Sequence, residues 1–301
     1  MTAQFRSIGL LGTHRNPLVA ETVLQLDSLL KSWGLVVLLE QETAAALPGS
    51  VADTATLDEM SQSCDLVIAV GGDGNLLNAA RHFSTHDVPV LGVNRGTLGF
   101  LTDIKPEELE QELQPILAGR YYEEKRFLVD ARVKQDGIFT YQGNALNDIV
   151  LFPGQVAQLI EFELFIDQQF VYSQRSDGLI IATPTGSTAY SLSAGGPIMQ
   201  PHLNALVLVP MFPHTLTSRP IVIDADSSIV IHIAEYNKTH PRLSYDGQAH
   251  VSLKPGTEIH VQKQRQALRL IHPENHDYYQ VLRTKLQWGK QLIPLASSKD
   301  K

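Results

Sequence analysis

Cysteine is almost missing: the 301 residues contain one, Cys64. A lone thiol excludes an internal disulfide framework and any multi-cysteine zinc or iron–sulfur centre, and it suits a reducing, cytoplasmic setting. Long apolar runs are also lacking. No stretch approaches the ~18 residues a membrane-spanning helix needs, so neither a span nor a membrane partner is expected. Met1 to Gly12 has Arg6 as its one charge and a short apolar run, which is not the build of a secretory leader. Basic charge is in deficit. The 24 Lys and Arg face 32 Asp and Glu, a net charge of −8. Such a chain lacks the broad basic face of a nucleic-acid binder, although a local site for phosphates stays open. The eleven histidines include no His-Glu-x-x-His spacing, so they read as surface or hydrogen-bonding residues and no metal ligand is assigned.

What is present is ordinary globular material, with 43 % hydrophobic and 19 % charged residues. At ~150 residues per domain the length predicts two domains. Up to about residue 120 the chain alternates strand-like and helix-like stretches. Val19, Val23, Leu26 and Leu30 recur at helical spacing before Gly34; Leu35 to Leu39 and Asp65 to Val70 are continuous apolar strands. Helices are expected over 57–64, 76–83 and 106–117, and a strand over 88–93. Unalternating strands interleaved with helices predict a parallel sheet covered on both faces. From about 121 to 272 short alternating segments, such as Ile160 to Ile166 and Ile229 to Ile233, are divided by Gly, Pro, Asn and Asp, which predicts an all-β domain. Residues 273–301 are expected to pack back on the first domain, 1–120.

Four stretches carry possible chemistry. The first is Gly71-Gly72-Asp73-Gly74-Asn75, directly after a buried strand and before a helix. Ligands of open α/β sheets bind beyond the carboxyl ends of strands, and glycine N–H groups before a helix suit a phosphate. The same residues also make a tight turn with a capping aspartate. No Lys-Ser or Lys-Thr follows, so this is no Walker loop, and a Gly-x-Gly-x-x-Gly fingerprint is missing. The second stretch, Asn94-Arg95-Gly96-Thr97-Leu98-Gly99-Phe100-Leu101, follows the next strand and belongs at the same sheet edge. The third is Asn147-Asp148, an amide beside a carboxylate, suited to ribose hydroxyls and equally to a turn. The fourth runs from Arg175-Ser176-Asp177-Gly178 through Thr183-Pro184-Thr185-Gly186-Ser187-Thr188-Ala189-Tyr190 to Ser193-Ala194-Gly195-Gly196-Pro197. Its hydroxyls, small residues and single aromatic suit a nucleotide pocket. Neither Ser187 nor Ser193 follows a Gly two residues earlier, so a nucleophile elbow is excluded. Asp246-Gly247-Gln248 reads as a β-turn.

In this order the stretches closely resemble bacterial-type ATP-dependent NAD kinases, and the likeness runs from about Ile8 to Trp288. Asn75 replaces the usual Thr after the glycine turn, a variant associated with the proteobacterial branch. Asp148 replaces the usual Glu and shortens its reach by one methylene. The resemblance implies a Rossmann-like or phosphofructokinase-like α/β N-terminal domain with a parallel sheet and an all-β C-terminal domain, the nucleotide between them. It implies phosphoryl transfer from ATP to the 2′-hydroxyl of the adenosine ribose of NAD, a divalent cation (commonly Mg²⁺), and a homodimer or homotetramer. On this basis Asp73 is the expected proton acceptor. Gly71, Gly72, Gly74 and Asn75 would lie at the phosphates. Phe100, Asn147, Asp148, Asp177, Thr185, Thr188, Ala189 and Tyr190 would hold the nucleotide, with Ser191, Leu192, Ser193 and Gln248 completing the pocket. Arg175 is expected to set a preference for NAD over NADH. A lipid kinase of the diacylglycerol type shares the glycine turn, and a non-catalytic NAD(P)-binding regulator could share the fold; NADP formation discriminates both.

Overall fold

The computed structural model describes residues 4–12, 16–49, 53–96, 99–154, 158–238 and 240–288. Its contacts divide the chain into one unit of Met1–Leu76, Leu91–Glu123 and Ile271–Lys301, and a second of Leu77–Val90 and Glu124–Leu270.

The first unit begins with β1 (Ser7–Gly12), α1 (Pro17–Ser32), β2 (Val36–Glu40), α2 (Gln41–Ala45), β3 (Thr54–Ala55), α3 (Leu57–Ser63) and β4 (Leu66–Gly71). Then come the start of α4 (Asp73–Phe83), most of β5 (Val90–Asn94) and α5 (Leu109–Leu117), the last entered through a 3₁₀ turn. Asn16 caps α1 by accepting from Leu18 N at 3.0 Å, with Pro17 opening the helix. Val19, Val23, Leu26 and Leu30 then line one buried stripe. The strand order is β5-β4-β1-β2-β3, and β1 pairs in parallel with both β2 and β4. Every residue of β4 is buried, which is why its sequence shows no alternation. Helix α4 starts on Asp73 itself, earlier than the expected Leu76. A carboxylate in the first helical turn faces the positive end of the helix dipole.

The second unit contains β6 (Tyr122–Gln135, entered from the first unit), β7 (Ile138–Ala145), β8 (Asp148–Phe152), β9 (Ile160–Ile166), β10 (Gln169–Ser176), β11 (Gly178–Ala182), α6 (Tyr190–Ser193) and β12 (Ala205–Met211). It closes with β13 (Ile221–Asp224), β14 (Ile229–Ile233), β15 (Arg242–Tyr245), β16 (Ala249–Ser252) and β17 (Glu258–His272), which runs back into the first unit before α7 (Tyr278–Lys285). One sheet has the order β13-β12-β11-β8-β15-β16, antiparallel throughout. The other runs β10-β9-β14-β17, with β6 beside β17 and β7 beside β6. Ile149, Leu151, Phe162, Leu179, Ile229 and Tyr245 share the core of this sandwich, while Val150 and Ile180 point to the opposite face of their sheet. Segment 77–90, placed by its sequence with the first 120 residues, groups with this unit. Asn144 Nδ2 donates to Arg81 O at 3.3 Å, and Arg269 Nη1 to Asp87 O at 3.1 Å. Among the described residues no helix is long and apolar enough to cross a membrane.

Candidate active site

In the first unit the glycine turn leaves the carboxyl end of β4. Asn75 Nδ2 donates back to Val70 O at 2.7 Å, and Arg95 N to Gly71 O at 3.0 Å, so the turn is closed from both sides. The Asp73 carboxylate receives Phe100 N on Oδ2 at 2.8 Å and Leu101 N on Oδ1 at 3.1 Å, with Thr102 Oγ1 at 3.5 Å. The second motif therefore grips the aspartate of the first. Gly99 makes the approach possible: a Cβ there would stand 2.0 Å from Asp73 Oδ1. Gly72 and Gly74 are exposed, Phe100 is half-buried, and Lys285 Nζ lies 5.6 Å from the Phe100 ring centre. Arg95 is occupied by Leu18 O at 3.0 Å and Glu21 at 2.9 Å. Thr97 and Leu98 of the second motif lie outside the described residues. The Asn75 bond has a measurable consequence. Asn75→Ala leaves Val70 O without its donor and is expected to cost ~1–2 kcal/mol, read as a lowered urea midpoint at unchanged m-value.

In the second unit Asn147, Asp148, Ala189 and Tyr190 line a cavity of about 370 Å³ together with Val150, Phe152, Ser244, Asp246, Gly247 and His250. Asp148 opens β8, and Thr183 N donates to Asn147 O at 2.9 Å, bringing the hydroxyl-rich stretch to the same strand end. Asp246 and Gly247 join β15 to β16 with φ of 52° and 65°, the paired positive values of a tight hairpin turn. The turn aims the Asp246 carboxylate inward, where Oδ2 accepts Leu146 N at 2.9 Å and Oδ1 accepts Asn147 N at 2.7 Å and Asp148 N at 3.2 Å. Burial pushes the Asp246 carboxyl above its usual range, against those three donors and the Arg81 charge. Asp148 is pushed up to about 7, first by burial and then by the neighbouring Asp246 charge. Both carboxyls are thus held above their usual range, a perturbation common in functional sites. Half of the Tyr190 surface is exposed, which leaves a ring face for an apolar or aromatic ligand.

The other expected residues are placed differently. Thr185 Oγ1 accepts from buried Arg126 at 3.1 Å, and Thr188 Oγ1 donates to Thr185 O at 3.2 Å across the 3₁₀ turn of 186–188 that Thr185 precedes. Ser191 is buried, Leu192 and Asp177 are half-buried, Ser193 and Gln248 are exposed, and none of these lines the 370 Å³ cavity. Arg175 lines a separate cavity of about 840 Å³ with Tyr236, Lys238, His240 and Arg242, and pairs with Glu161 at 3.6 Å. Asp246, Ser244 and His250 line the same cavity and were not among the residues expected there. The Asp-Gly dipeptide signals the hairpin, but its role depends on meeting residues about a hundred positions earlier.

The first unit carries a carboxylate in a glycine turn at the carboxyl edge of a parallel sheet, and the second carries a cavity of its own, features in keeping with a phosphotransferase of the α/β type. Two family models match: the ATP-NAD kinase N-terminal domain over residues 14–121 and the ATP-NAD kinase C-terminal domain over 146–273. The chain is 57 % identical over 286 residues to an NAD kinase of Hahella chejuensis, covering 95 % of this chain and 97 % of the relative. It is 52 % identical to an NAD kinase of Marinomonas sp., covering 96 % and 99 %. Among solved structures, yeast NADH kinase complexed with NADH superposes with a TM-score of 0.90 at 26 % identity, covering 98 % of this chain and 91 % of that one. An NAD kinase from Archaeoglobus fulgidus in complex with ATP shares the fold at a TM-score of 0.73 and 24 % identity, covering 94 % and 99 %. This chain belongs to the ATP-NAD kinase family.

Proposed function

We propose that the chain transfers the γ-phosphoryl group of ATP to the 2′-hydroxyl of the adenosine ribose of NAD, giving NADP and ADP, with Asp73 as proton acceptor. The observation that carries this is the fixed Asp73 carboxylate. Two backbone N–H groups hold it in one orientation, yet a carboxylate offers about four lone-pair positions, so capacity remains for a substrate hydroxyl. An alcohol is a weak nucleophile, and a loose phosphoryl transfer is accelerated chiefly by positioning and charge stabilisation. As the O–P bond forms, the hydroxyl proton passes to Asp73. Gly71, Gly72 and Gly74 offer N–H groups at the start of α4 to phosphate oxygens.

The NAD contacts are assigned to Asn147, Asp148, Ala189 and Tyr190, which share the 370 Å³ cavity, with Asp246 added from the structure. Phe100, Asp177, Thr185, Thr188, Ser191, Leu192, Ser193 and Gln248 complete this assignment. The glycine turn offers one carboxylate, already engaged by N–H donors, which fits a Mg²⁺ ion held mainly by phosphate oxygens and water. When bound, that ion neutralises charge on the transferring group. A cytoplasmic homodimer or homotetramer with domains 1–120 and 121–272 completes the reading; of the segment 273–301 expected on the first domain, residues 289–301 lie outside the described residues.

The test is direct: purified chain, ATP, Mg²⁺ and NAD, with NADP read by an NADP-specific dehydrogenase. No NADP overturns the proposal in favour of a lipid kinase or a silent NAD-binding regulator. For Arg175 the expected result is several-fold faster turnover of NAD than of NADH, narrowed in Arg175→Ala. Equal turnover of both coenzymes by the unsubstituted enzyme removes this role.

A further inference from the structure

We infer that Asp103, His272 and His276 form a binding site for a borderline divalent transition cation such as Zn²⁺, separate from the substrate residues. The three supply one ligand atom each, and these atoms all lie within 4.8 Å of one another. His276 Nδ1 is 3.1 Å from Asp103 Oδ2, and His272 Nδ1 meets the same oxygen in a closer contact. Two ligands each about 2.1 Å from a tetrahedral ion stand about 3.4 Å apart, so small outward shifts admit the ion. Two imidazoles and one carboxylate favour zinc, cobalt or nickel over magnesium, which takes oxygen ligands.

The surroundings suit a resident ion. His272 is 1 % exposed, and the rings of His272 and His276 stack with centres 4.0 Å apart. The Tyr122 ring lies beside both, at 6.1 and 6.2 Å, which limits their rotation. Asp103 and His276 border a cavity of about 450 Å³ whose wall also carries Glu112 and Asp277 together with Glu108, which pairs with Lys105 at 3.1 Å, leaving a net acidic approach for a cation. Burial favours the neutral Asp103 carboxyl, but hydrogen bonds from the two histidines outweigh it and keep the group well below the usual carboxylate range. Three protein ligands leave outer positions for water on the cavity side. The site also borders the Asp73 grip, because Asp103 follows Thr102 on the segment that holds that carboxylate. A bound ion would tie this segment to the end of β17.

The inference does not rest on the kinase assignment, and its test reads metal directly. Full-length chain stripped with chelator is dialysed against Zn²⁺ in the presence of excess Mg²⁺, and retained zinc is counted by mass spectrometry. One zinc per chain is expected, with a rise in melting temperature. Co²⁺ in its place should give a visible d–d band of nitrogen–oxygen coordination. In His276→Gln the amide still donates to Asp103 but ligates poorly; zinc affinity should fall about tenfold or more, and the cobalt band should disappear. No zinc retained by the unsubstituted chain, or equal affinity and an unchanged band in His276→Gln, overturns the site. The unsubstituted chain decides the first point whether or not the variant folds.

Discussion

Asp73→Asn is expected to lower NADP formation ~10²–10⁴-fold, the usual range for loss of a positioned general base. NAD affinity, measured by calorimetry without ATP, should change by about threefold or less, since a group needed mainly in the transition state lowers kcat without raising Kd. The geometry adds a second effect. Phe100 N and Leu101 N donate to different oxygens of the carboxylate. An asparagine keeps one acceptor and turns an NH₂ group toward the other donor, leaving a backbone N–H unpaired at a cost of ~1–3 kcal/mol. The variant should therefore melt earlier as well as turn over slowly. Gly99→Ala separates the two effects. It leaves the carboxylate chemically intact but pushes a methyl into the space 2.0 Å from Asp73 Oδ1. If position matters as much as basicity, Gly99→Ala loses turnover nearly as severely while keeping the wild-type pH profile. Turnover in Asp73→Asn within threefold of the unsubstituted enzyme would remove Asp73 from the proton-transfer step.

How far the sequence displayed this arrangement differs between elements. Strand β4 and its turn were legible because a strand covered on both faces is written as an unbroken apolar run, and glycines around one aspartate mark a tight turn whether or not it binds phosphate. The start of α4 was not, because Gly74 and Asn75 are weak helix formers; the end of β4 and the Asn75 bond to Val70 O override local propensity there. The second unit's many strands were legible from alternation and turn residues. Its cavity was legible only in half. Asn147, Asp148, Ala189 and Tyr190 carry a recognisable pattern, whereas Asp246 joins them through bonds spanning about a hundred residues, which no local pattern encodes. Arg175 shows the opposite case. It sits two residues from Asp177 in the chain, but strand alternation and the Glu161 pair turn it into another cavity. The Asp103–His272 contact, across 169 residues, escaped a search for short histidine spacings for the same reason.

Asp148→Asn is the substitution expected to act most strongly on both stability and pH dependence. In the unfolded chain an aspartate titrates near 3.9; in the folded protein burial and the Asp246 charge push Asp148 up to about 7. Between those values the folded state holds a proton that the unfolded state has lost. The stability this proton provides is complete below about pH 4 and is lost as pH rises through about 7. Above that, a charged Asp148 is held against burial and repulsion. A neutral asparagine of the same shape avoids this, so Asp148→Asn should be the more stable protein at pH 8 by ~2–4 kcal/mol and should show little advantage at pH 4. Catalysis should move the other way. If the ionised carboxylate accepts hydrogen bonds from NAD, kcat/KM for NAD falls about tenfold per unit as pH drops below 7. At saturating NAD, kcat should change far less. In Asp148→Asn that acidic limb should flatten and kcat/KM should fall ~10–100-fold at pH 8, the loss of a hydrogen bond to a charged group. Opposite signs in the two measurements distinguish a residue kept for binding at the expense of folding from one kept for structure. A variant destabilised at pH 8, or a rate profile whose acidic limb survives the substitution, would place the group titrating near 7 elsewhere and leave Asp148 as a strand-end residue.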